Sequence, residues 1–521
     1  MENIADILGK LFMIGIPGTS LNEENKRILQ EIKPGTIILF SRNIQNKYQI
    51  NKFIDDIKNF LGYEPLFAID QEGGMVTRLT NGFSIAPSAM AIAATQDKNN
   101  AYIAANILAQ EMEIVGINWN FAPVVDINNN PLNSVIGIRS FSDKKEIVVE
   151  YAEEFVRGLH EGGVLSCLKH FPGIGNVNID PHMDLTQSDL TKEQILSNEV
   201  YPYLAISSPS WMPTHVYMPK IQSYKEPVTL SKEMLTNFVR KELKYEGILV
   251  ADDFEMGGID NFYKPEDSAL KALDAGMDII TFCHTFDKQL RAKEKVVNEY
   301  KNSNDFKNNI KKSLERIDEF VDLSQKIKNA YIGLDNIGCE ENIHKMQEIT
   351  DRSITIVNHS EECFPLLTLD NVFYYLTPKK TMGIEDRERE NLWIFEQLSQ
   401  NFKAKVVKIP HFLDTKLTKE IMGNARNKIN IIFTENAYLN EEVKRLISLI
   451  SNNSKKSILV ALKNPYDAFL TGIKYSLCSY GYNMNSQISL YKVLMGEIQA
   501  EGILPIDWRA YNVWWFRNRK K

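Results

Sequence analysis

Asp180 and His182 have the residue types and the spacing needed for acid–base chemistry. They lie in a loop broken by glycine and proline, after an apolar run at 163–168 that predicts a buried strand. A carboxylate held against one imidazole nitrogen fixes the tautomer and makes the other nitrogen more basic. Such a pair can serve as general acid and base. An Asp-x-His spacing alone also fits an ordinary surface loop, so other residues of the chain are needed to distinguish a catalytic pair from such a loop.

Asp252 follows a second apolar run, 247–251, which predicts a carboxylate at the end of a buried strand. A carboxylate opposite an imidazole acid suits displacement at an acetal carbon, through a covalent glycosyl-enzyme and with net retention. The usual acid is a second carboxyl group, but an imidazole would not repel an incoming anion. The neighbouring Asp253 is predicted to be the N-cap of the next helix, where aspartate is favoured.

A further group of polar residues can hold sugar hydroxyls. In the run 70–78, Asp-Gln-Glu-Gly-Gly-Met-Val-Thr-Arg, the two glycines permit a tight turn that would bring Asp70 and Arg78 together. Arg139, Lys169 and His170 would add hydrogen-bond donors. Each arginine taken alone is equally compatible with a surface ion pair.

Eight apolar runs alternate with amphipathic segments over the first 300 residues: 11–15, 36–40, 65–70, 118–126, 164–170, 211–218, 247–254 and 278–283. Strand–helix alternation with eight repeats predicts an α/β fold with a (β/α)8 TIM barrel, and an open doubly wound sheet is the alternative. Active sites of such barrels lie at the carboxyl ends of the strands. The polar residues at these ends are therefore predicted to line one pocket: Asp70, Asp126, Lys169, His170, His215, Asp252 and Asp253.

The remaining chain predicts a second, smaller α/β layered domain, with strands at 353–357, 371–376, 404–409, 429–433 and 457–462. A polar helical stretch at about 303–345 would close the barrel and link the two. We predict a catalytic barrel at 1–320, a linker at 321–345 and an α/β sandwich domain at 346–521.

The composition of the chain bears on its partners and its compartment. The chain has 521 residues, 44% hydrophobic and 24% charged, with a net charge of −7, which argues against a nucleic-acid partner. No apolar run approaches the roughly 18 residues that span a bilayer, and no secretory signal is visible. Five scattered cysteines favour a reducing compartment. We therefore predict a cytoplasmic protein without a membrane partner.

Four motifs resemble, in order and spacing, those of glycoside hydrolase family 3, specifically its β-N-acetylglucosaminidase (β-N-acetylhexosaminidase) branch in the two-domain form. They are the run 70–78; Ile-Gly-Ile-Arg-Ser-Phe at 136–141; Lys-His-Phe-Pro-Gly-Ile-Gly at 169–175 with Asp-Pro-His at 180–182; and Ala-Asp-Asp-Phe-Glu-Met at 251–256. Three positions depart from the family pattern: Met75 stands for an arginine, Ile174 for a histidine and Ala251 for a serine. These departures change the loop and the pocket wall, so we expect a substrate preference that differs from the branch's usual cell-wall sugars.

The resemblance implies a retaining exo-β-N-acetylglucosaminidase that acts on a small-molecule or oligosaccharide β-glycoside and needs no cofactor. It implies Asp252 as nucleophile and His182 as acid/base oriented by Asp180. It also implies sugar ligands at Asp70, Arg78, Arg139, Lys169 and His170, to which we add His215 from its strand-end position.

Several alternatives remain open at this point. Within the family, the chain could be a β-N-acetylglucosaminide phosphorylase, a β-glucosidase or a biosynthetic deglycosylase. Outside enzymes, it could be an inactive sugar-binding protein. His170, His182 and His215 could meet at a metal, but no His-Glu-x-x-His or paired-cysteine spacing supports this, so no metal is predicted. A monomer and a homodimer are both compatible with the sequence.

Overall fold

The computed structural model describes residues 3–177, 185–329, 333–358, 366, 372–376, 392–402, 405–409 and 415–507. Asp180 and His182, predicted as the acid/base pair, lie outside the described residues. Elements below are numbered in chain order. The strands up to residue 283 are β1 Phe12–Gly15, β2 Thr36–Leu39, β3 Leu66–Ile69, β4 Trp119–Asn120, β5 Leu165–Ser166, β6 Leu168–Phe171, β7 Thr186–Gln187, β8 Ser210–Pro213, β9 Val216–Tyr217, β10 Ile248–Leu249 and β11 Ile280–Phe282.

These strands form parallel sheets. One sheet has six strands in the order β11-β1-β2-β3-β4-β5, and another has three in the order β10-β8-β6. Parallel bridges from Val124 to Lys169 and from Val250 to Ile279 connect the two sheets at both of their edges. β7 and β9 make a separate parallel pair. Each predicted apolar run contains at least one of the observed strands, so the predicted mixed α/β architecture with parallel strands is confirmed.

Helices follow most of these strands, as parallel pairing requires. They are α1 Ile4–Gly9, α2 Glu23–Ile32, α3 Lys47–Leu61, α4 Ala89–Ala94, α5 Asn99–Ile114, α6 Lys145–Glu161, α7 Lys192–Ser197, α8 Tyr201–Ala205, α9 Gly257–Asp260, α10 Pro265–Ala275, α11 Phe286–Asn302 and α12 Asn304–Ile327. α3 illustrates the sequence logic, because Ile50, Phe53, Ile54 and Ile57 recur at helical spacing and are all buried. The segment Glu233–Glu242 is a π-helix.

The second part of the chain, from residue 340 onward, builds one six-stranded sheet. Its elements are α13 Glu340–Ser353, β12 Thr355–Asn358, β13 Val372–Leu376, α14 Trp393–Phe402, β14 Lys405–Ile409, α15 Thr415–Ala425, β15 Ile429–Thr434, α16 Glu441–Asn453, β16 Lys456–Ala461, α17 Asp467–Leu470, β17 Tyr475–Cys478 and α18 Met484–Met495. The strand order is β12-β17-β16-β15-β13-β14, parallel except that β12 runs antiparallel to β17. β17 is absent from the sequence prediction, because its four residues lack a run of β-branched side chains.

The two parts share an apolar cluster. Met90 and Ile138 of the first part pack there with Tyr438, Tyr466 and Tyr480 of the second, and all five are buried. α4, which carries Met90, and the 3-10 turn that carries Ile138 therefore rest on the second part. Within the described ranges, no helix is long and apolar enough to cross a bilayer.

Candidate active site

Lys169, on β6, lies at the centre of a buried charge network. Its side chain is 1% exposed, and its Nζ lies 2.7 Å from Asp70 Oδ1 and 2.6 Å from Glu72 Oε1. An ammonium group buried this deeply needs such partners, since desolvation disfavours its charge. Burial lowers the pKa of Lys169, but Asp70 and Glu72 together raise it above the ordinary lysine value. Lys169 is therefore a cation in the folded protein.

Glu72 connects Lys169 to Arg139. Its two carboxylate oxygens accept hydrogen bonds from Arg139 Nε and Nη2, each at 2.8 Å, which is the bidentate geometry of a strong pair. Burial favours the neutral acid, but Arg139 and Lys169 hold the pKa of Glu72 well below its ordinary value. Burial alone would lower the pKa of Arg139, but Glu72 raises it above the ordinary arginine value. The sequence prediction did not include Glu72, although it sits two residues from Asp70 in the same motif.

The predicted turn between Asp70 and Arg78 is present. Arg78 Nη2 lies 3.9 Å from Asp70 Oδ2, and Gly73 and Gly74 adopt positive φ angles of 95° and 59°. The Gln71 side chain closes the turn, because its Oε1 accepts hydrogen bonds from Arg78 N at 2.8 Å and from Leu79 N at 3.1 Å. This turn holds a carboxylate and a guanidinium side by side.

His170 is fixed by Asp126, which ends the predicted fourth strand. Asp126 Oδ2 accepts from the ring Nδ1 of His170 at 2.7 Å and from its backbone N–H at 3.0 Å, while Oδ1 accepts from Ile174 N at 2.7 Å. With Nδ1 protonated, Nε2 can accept from Arg139 Nη2, which is 3.3 Å away. Asp126 is fully buried, so its part is to orient the imidazole.

Asp252 follows β10, and both of its oxygens are engaged. Oδ2 accepts from Thr214 Oγ1 at 2.7 Å, and Oδ1 accepts from the backbone N–H of Asp253 at 3.0 Å. Two donors orient the carboxylate and stabilise its charge.

The prediction that Asp253 caps the next helix is wrong. Its Oδ1 accepts from the backbone N–H groups of Glu255 and Cys283, and α9 begins only at Gly257 with Met256 as N-cap residue. Asp253 thus stabilises a turn and ties it to the residue after β11. The turn separates β10 from α9 by several residues, and the sequence pattern alone does not predict this separation.

A cavity of about 230 Å³ lies among these residues, and its lining comprises Met13, Ile38, Phe40, Asp70, Arg78, Phe121, Lys169, His170, Met212, Ala251, Asp252, Asp253, Glu255, Met256, Thr281, Cys283 and His284. Six residues predicted for the site or its pocket meet in it: Asp70, Arg78, Lys169, His170, Asp252 and Asp253. Arg139 lies behind them, bonded to Glu72.

His215 lies outside this lining. It is fully buried, and its ring nitrogens lie 2.9 Å from Thr229 Oγ1 and 2.8 Å from the Asp253 carbonyl oxygen. The structure places it beneath the loop that follows Asp252.

His284 is a cavity residue that the sequence prediction missed. It is about half exposed, with Nε2 3.4 Å from Asp253 Oδ2 and Nδ1 3.1 Å from Arg42 Nη1. Because the arginine can only donate, Nδ1 accepts and Nε2 carries the proton. The strand-end rule would have found it, since the eighth apolar run ends at Cys283.

The cavity thus brings together hydrogen-bond donors, the acceptor Asp70 and, apart from them, the oriented carboxylate of Asp252. Among the described residues, no three or more His, Cys, Asp or Glu side chains are grouped to hold a metal ion. The arrangement suits recognition of a polyhydroxylated ring whose reactive carbon lies near Asp252.

Comparisons with known proteins point in the same direction. Residues 4–319 match the model described as glycosyl hydrolase family 3 N terminal domain. The beta-hexosaminidase A of Pseudoalteromonas piscicida is 26% identical over 556 residues, covering 94% of this chain and 91% of that protein. The beta-hexosaminidase of Idiomarina loihiensis is 34% identical over 278 residues, covering 52% of this chain and 83% of that protein.

Solved structures show the same likeness over nearly the whole chain. A glycoside hydrolase family 3 beta-N-acetylglucosaminidase from Paenibacillus sp. str. FPU-7 superposes with a TM-score of 0.89 at 28% identity, covering 97% of this chain and 99% of that one. The beta-glucoside phosphorylase BglX superposes with a TM-score of 0.79 at 18% identity, covering 97% and 94%. The second likeness concerns the fold alone.

Proposed function

The chain belongs to glycosyl hydrolase family 3, and from this membership we propose that it is a retaining exo-β-N-acetylglucosaminidase that hydrolyses terminal β-linked N-acetylglucosamine. One observation carries the proposal: Asp70, Arg78, Lys169 and His170 line the same cavity as the doubly hydrogen-bonded carboxylate of Asp252. The names of the two beta-hexosaminidase relatives and of the Paenibacillus enzyme support the choice of sugar.

In the proposed first step, one oxygen of Asp252 attacks the anomeric carbon and forms an ester with it. The bond from that carbon to the glycosidic oxygen breaks, and His182, held by Asp180, gives its proton to the departing oxygen. In the second step, His182 takes a proton from water, whose oxygen attacks the anomeric carbon and releases Asp252. Two inversions give net retention.

Sugar recognition is assigned by hydrogen-bonding capacity. Asp70 accepts from hydroxyl groups, while Arg78 and Lys169 donate to them. His170 keeps the role of a sugar ligand only as a prediction, since its Nδ1 donates to Asp126 and its Nε2 accepts from Arg139. Arg139 keeps the role of a sugar ligand only as a prediction, since its guanidinium already bonds to Glu72. The same holds for His215, which lies outside the cavity lining.

For the architecture, we propose that the parallel strands close into a (β/α)8 barrel, spanning residues 1–320, with a linker at 321–345 and an α/β sandwich domain at 346–521. The bridges from Val124 to Lys169 and from Val250 to Ile279 support closure, because they join the two sheets at both edges. A cytoplasmic location remains a prediction from cysteine spacing.

The decisive experiment replaces Asp252 with alanine. We expect turnover of a nitrophenyl β-N-acetylglucosaminide to fall by orders of magnitude, because covalent catalysis has no substitute. Azide should restore activity, since it can enter the space left by the carboxylate, and the sugar azide formed should have the inverted, α configuration. Asp55→Ala, the same change at an exposed position of α3, is the matched control and should behave as wild type.

Near-normal turnover in Asp252→Ala without azide would disprove the mechanism. A panel of nitrophenyl glycosides, assayed with and without phosphate, separates the proposed activity from β-glucosidase activity and from phosphorolysis. Release of a sugar 1-phosphate only in the presence of phosphate would favour the phosphorylase, and sugar binding without turnover would favour an inactive binding protein.

A further inference from the structure

Arg139 lies on a short 3-10 turn, Gly137–Arg139, within the segment of residues 131–143. Its guanidinium holds Glu72 in bidentate fashion, and Glu72 in turn holds Lys169. A displacement of this turn would therefore be passed directly to two charged groups of the sugar site. What holds the 131–143 segment in place consequently matters for catalysis.

Tyr438, in the second part of the chain, holds the beginning of this segment. Its hydroxyl donates to the Pro131 carbonyl oxygen at 2.5 Å, and the side chain is 1% exposed. Asp467 fixes the backbone there, because its Oδ1 accepts from Tyr438 N at 2.8 Å. The Tyr466 ring packs edge-on with a centroid separation of 5.3 Å. Tyr438 is thus itself rigidly placed.

Asn464, also in the second part, packs against the middle of the segment. A Cβ at Gly137 would lie 2.2 Å from Asn464 Oδ1, and Gly137 has a φ of +43°. Asn464 is fully buried and donates through Nδ2 to Asn436 Oδ1 at 2.9 Å. The turn that presents Arg139 therefore has a fixed side chain directly against its first residue.

The end of the segment is held as well. Ser142 Oγ donates to the Pro505 carbonyl oxygen at 2.5 Å, and Asp507 N donates to Asp143 Oδ2 at 2.8 Å. On its other side the segment contacts the site, since Asn133 Nδ2 donates to the Ile174 carbonyl oxygen at 2.6 Å. The 131–143 segment is thus placed between the second part of the chain and the site.

We propose that the second part of the chain positions Arg139, with Tyr438 and Asn464 as positioning residues for the sugar site. The kinetic test of this proposal rests on the proposed function, whereas the coupling between the two parts of the chain does not. A bidentate arginine–carboxylate pair tolerates little displacement, and a 1 Å misplacement at a site can cost on the order of 10²-fold in rate. The second part thereby affects catalysis without contributing a residue to the cavity lining among the residues that the structure describes.

The test is a double-mutant cycle between Tyr438→Phe and Arg139→Lys, measured by kcat/KM. Tyr438→Phe keeps the ring and removes one hydrogen bond, so we expect kcat/KM to fall about fivefold in the wild-type background. In the Arg139→Lys background it should have no further effect, because lysine cannot make the bidentate pair. Asn464→Ala is a second variant for which the same coupling is expected.

Tyr480→Phe is the matched control. It also removes a buried tyrosine hydroxyl, which bonds to Thr355 Oγ1 at 2.8 Å within the second part. It should lower the melting temperature as Tyr438→Phe does, yet leave kcat/KM within about twofold of wild type. Equal losses in both backgrounds, or equal losses for Tyr438→Phe and the control, would overturn the proposal.

Hydrogen exchange tests the same idea without any substrate. The Arg139 backbone N–H donates to the Ile136 carbonyl oxygen at 2.9 Å, so its exchange rate reports on the turn. Tyr438→Phe should accelerate this exchange, and Tyr480→Phe should not. Unchanged exchange overturns the proposal, whereas faster exchange in a protein that hydrolyses no glycoside would refute only the proposed function.

Discussion

At the scale of single residues, Glu72 organises the charges of the site. It is one buried carboxylate with two buried cations, Arg139 and Lys169, both within hydrogen-bonding distance. Removal of one member of a buried ion network leaves the others with uncompensated charge. Glu72 should therefore matter for stability and for sugar binding together.

Glu72→Gln should lower the free energy of unfolding by about 3 kcal/mol at neutral pH, because the two cations lose their shared counter-charge. The pKa of Glu72 is depressed in the folded state, so its contribution is present above the unfolded value of 4.5 and is lost as the pH falls below it. Urea unfolding of the wild type should thus show stability decreasing on acidification below about pH 4.5.

The Glu72→Gln variant should show a smaller decrease over the same acid range. Glu153→Gln, a change at an exposed carboxylate of α6, is the control and should reproduce the wild-type curve. If Glu72→Gln and wild type had parallel stability curves between neutral and acid pH, Glu72 would not be the depressed group.

Sequence predicted which residues would meet in the cavity better than it predicted their partners. Asp70 and Lys169 are 99 positions apart, yet the strand-end rule places both at the same edge. The rule cannot say that Glu72, rather than Asp70, would hold Arg139, because that depends on side-chain geometry across two loops. The roles of Asp180 and His182 stay predictions, as these residues lie outside the described ranges.

At the scale of elements, the loop after β6 depends on close backbone packing. A Cβ on Gly175 would lie 1.7 Å from the Ile127 carbonyl oxygen, and Gly173 has a φ of +109°. A backbone atom cannot move aside as the end of a flexible side chain can. Gly175 is therefore required by the contact with the loop after β4, and Gly173 by its positive φ and by the close approach of Glu199.

Gly175→Ala should destabilise the protein by about 3 kcal/mol or more and reduce glycoside turnover, because the loop must move away from Ile127. Thermal unfolding and activity assays would measure both effects. Gly423→Ala is the control: Gly423 lies in α15 with no atom near its Cβ position, so the change should stabilise by up to about 1 kcal/mol. Wild-type melting and activity in Gly175→Ala would contradict the packing argument.

Hydrophobic periodicity located most elements to within a few residues, because buried strands and amphipathic helices leave patterns of period 2 or 3.6. It failed where other interactions decide. The Asp253 turn depends on the Cys283 backbone N–H, which is distant in sequence. β17 is stabilised by its neighbours β12 and β16 rather than by its own composition.

At the scale of the whole molecule, the two parts of the chain are joined through the loops that carry the site. Ser88 Oγ donates to the Tyr480 carbonyl oxygen at 2.7 Å, and Ile503 N donates to the Ala94 carbonyl oxygen at 2.8 Å. Met75, within the Asp70–Arg78 turn, packs on the shared apolar cluster. This packing gives a physical reason for an apolar side chain at that departure from the family pattern.

Thermal unfolding should therefore proceed in a single transition for both parts. N-acetylglucosamine at about 100 times its dissociation constant should stabilise the folded protein by about 2.7 kcal/mol and move the whole transition upward. Differential scanning calorimetry with and without the sugar would measure this. Two transitions, of which the sugar moved only one, would show that the parts unfold independently.

No sequence pattern predicted the contact between the two parts of the chain. Tyr438 and Asn464 belong to turns after strands of the second sheet, and neither lies in a motif shared with the first part. Their partners, Pro131 and Gly137, lie more than 300 positions away. Such contacts come from complementary surfaces, which periodicity does not encode.

A cavity of about 230 Å³ lined by the sugar ligands and Asp252 suits the binding of a terminal sugar at the cleavage position. A polymer presented to it would be shortened from its tip, one unit per encounter. The speed of degradation should then depend on how many chain termini are present in solution, and a sample cut beforehand into short pieces should be consumed faster than the same mass of intact material.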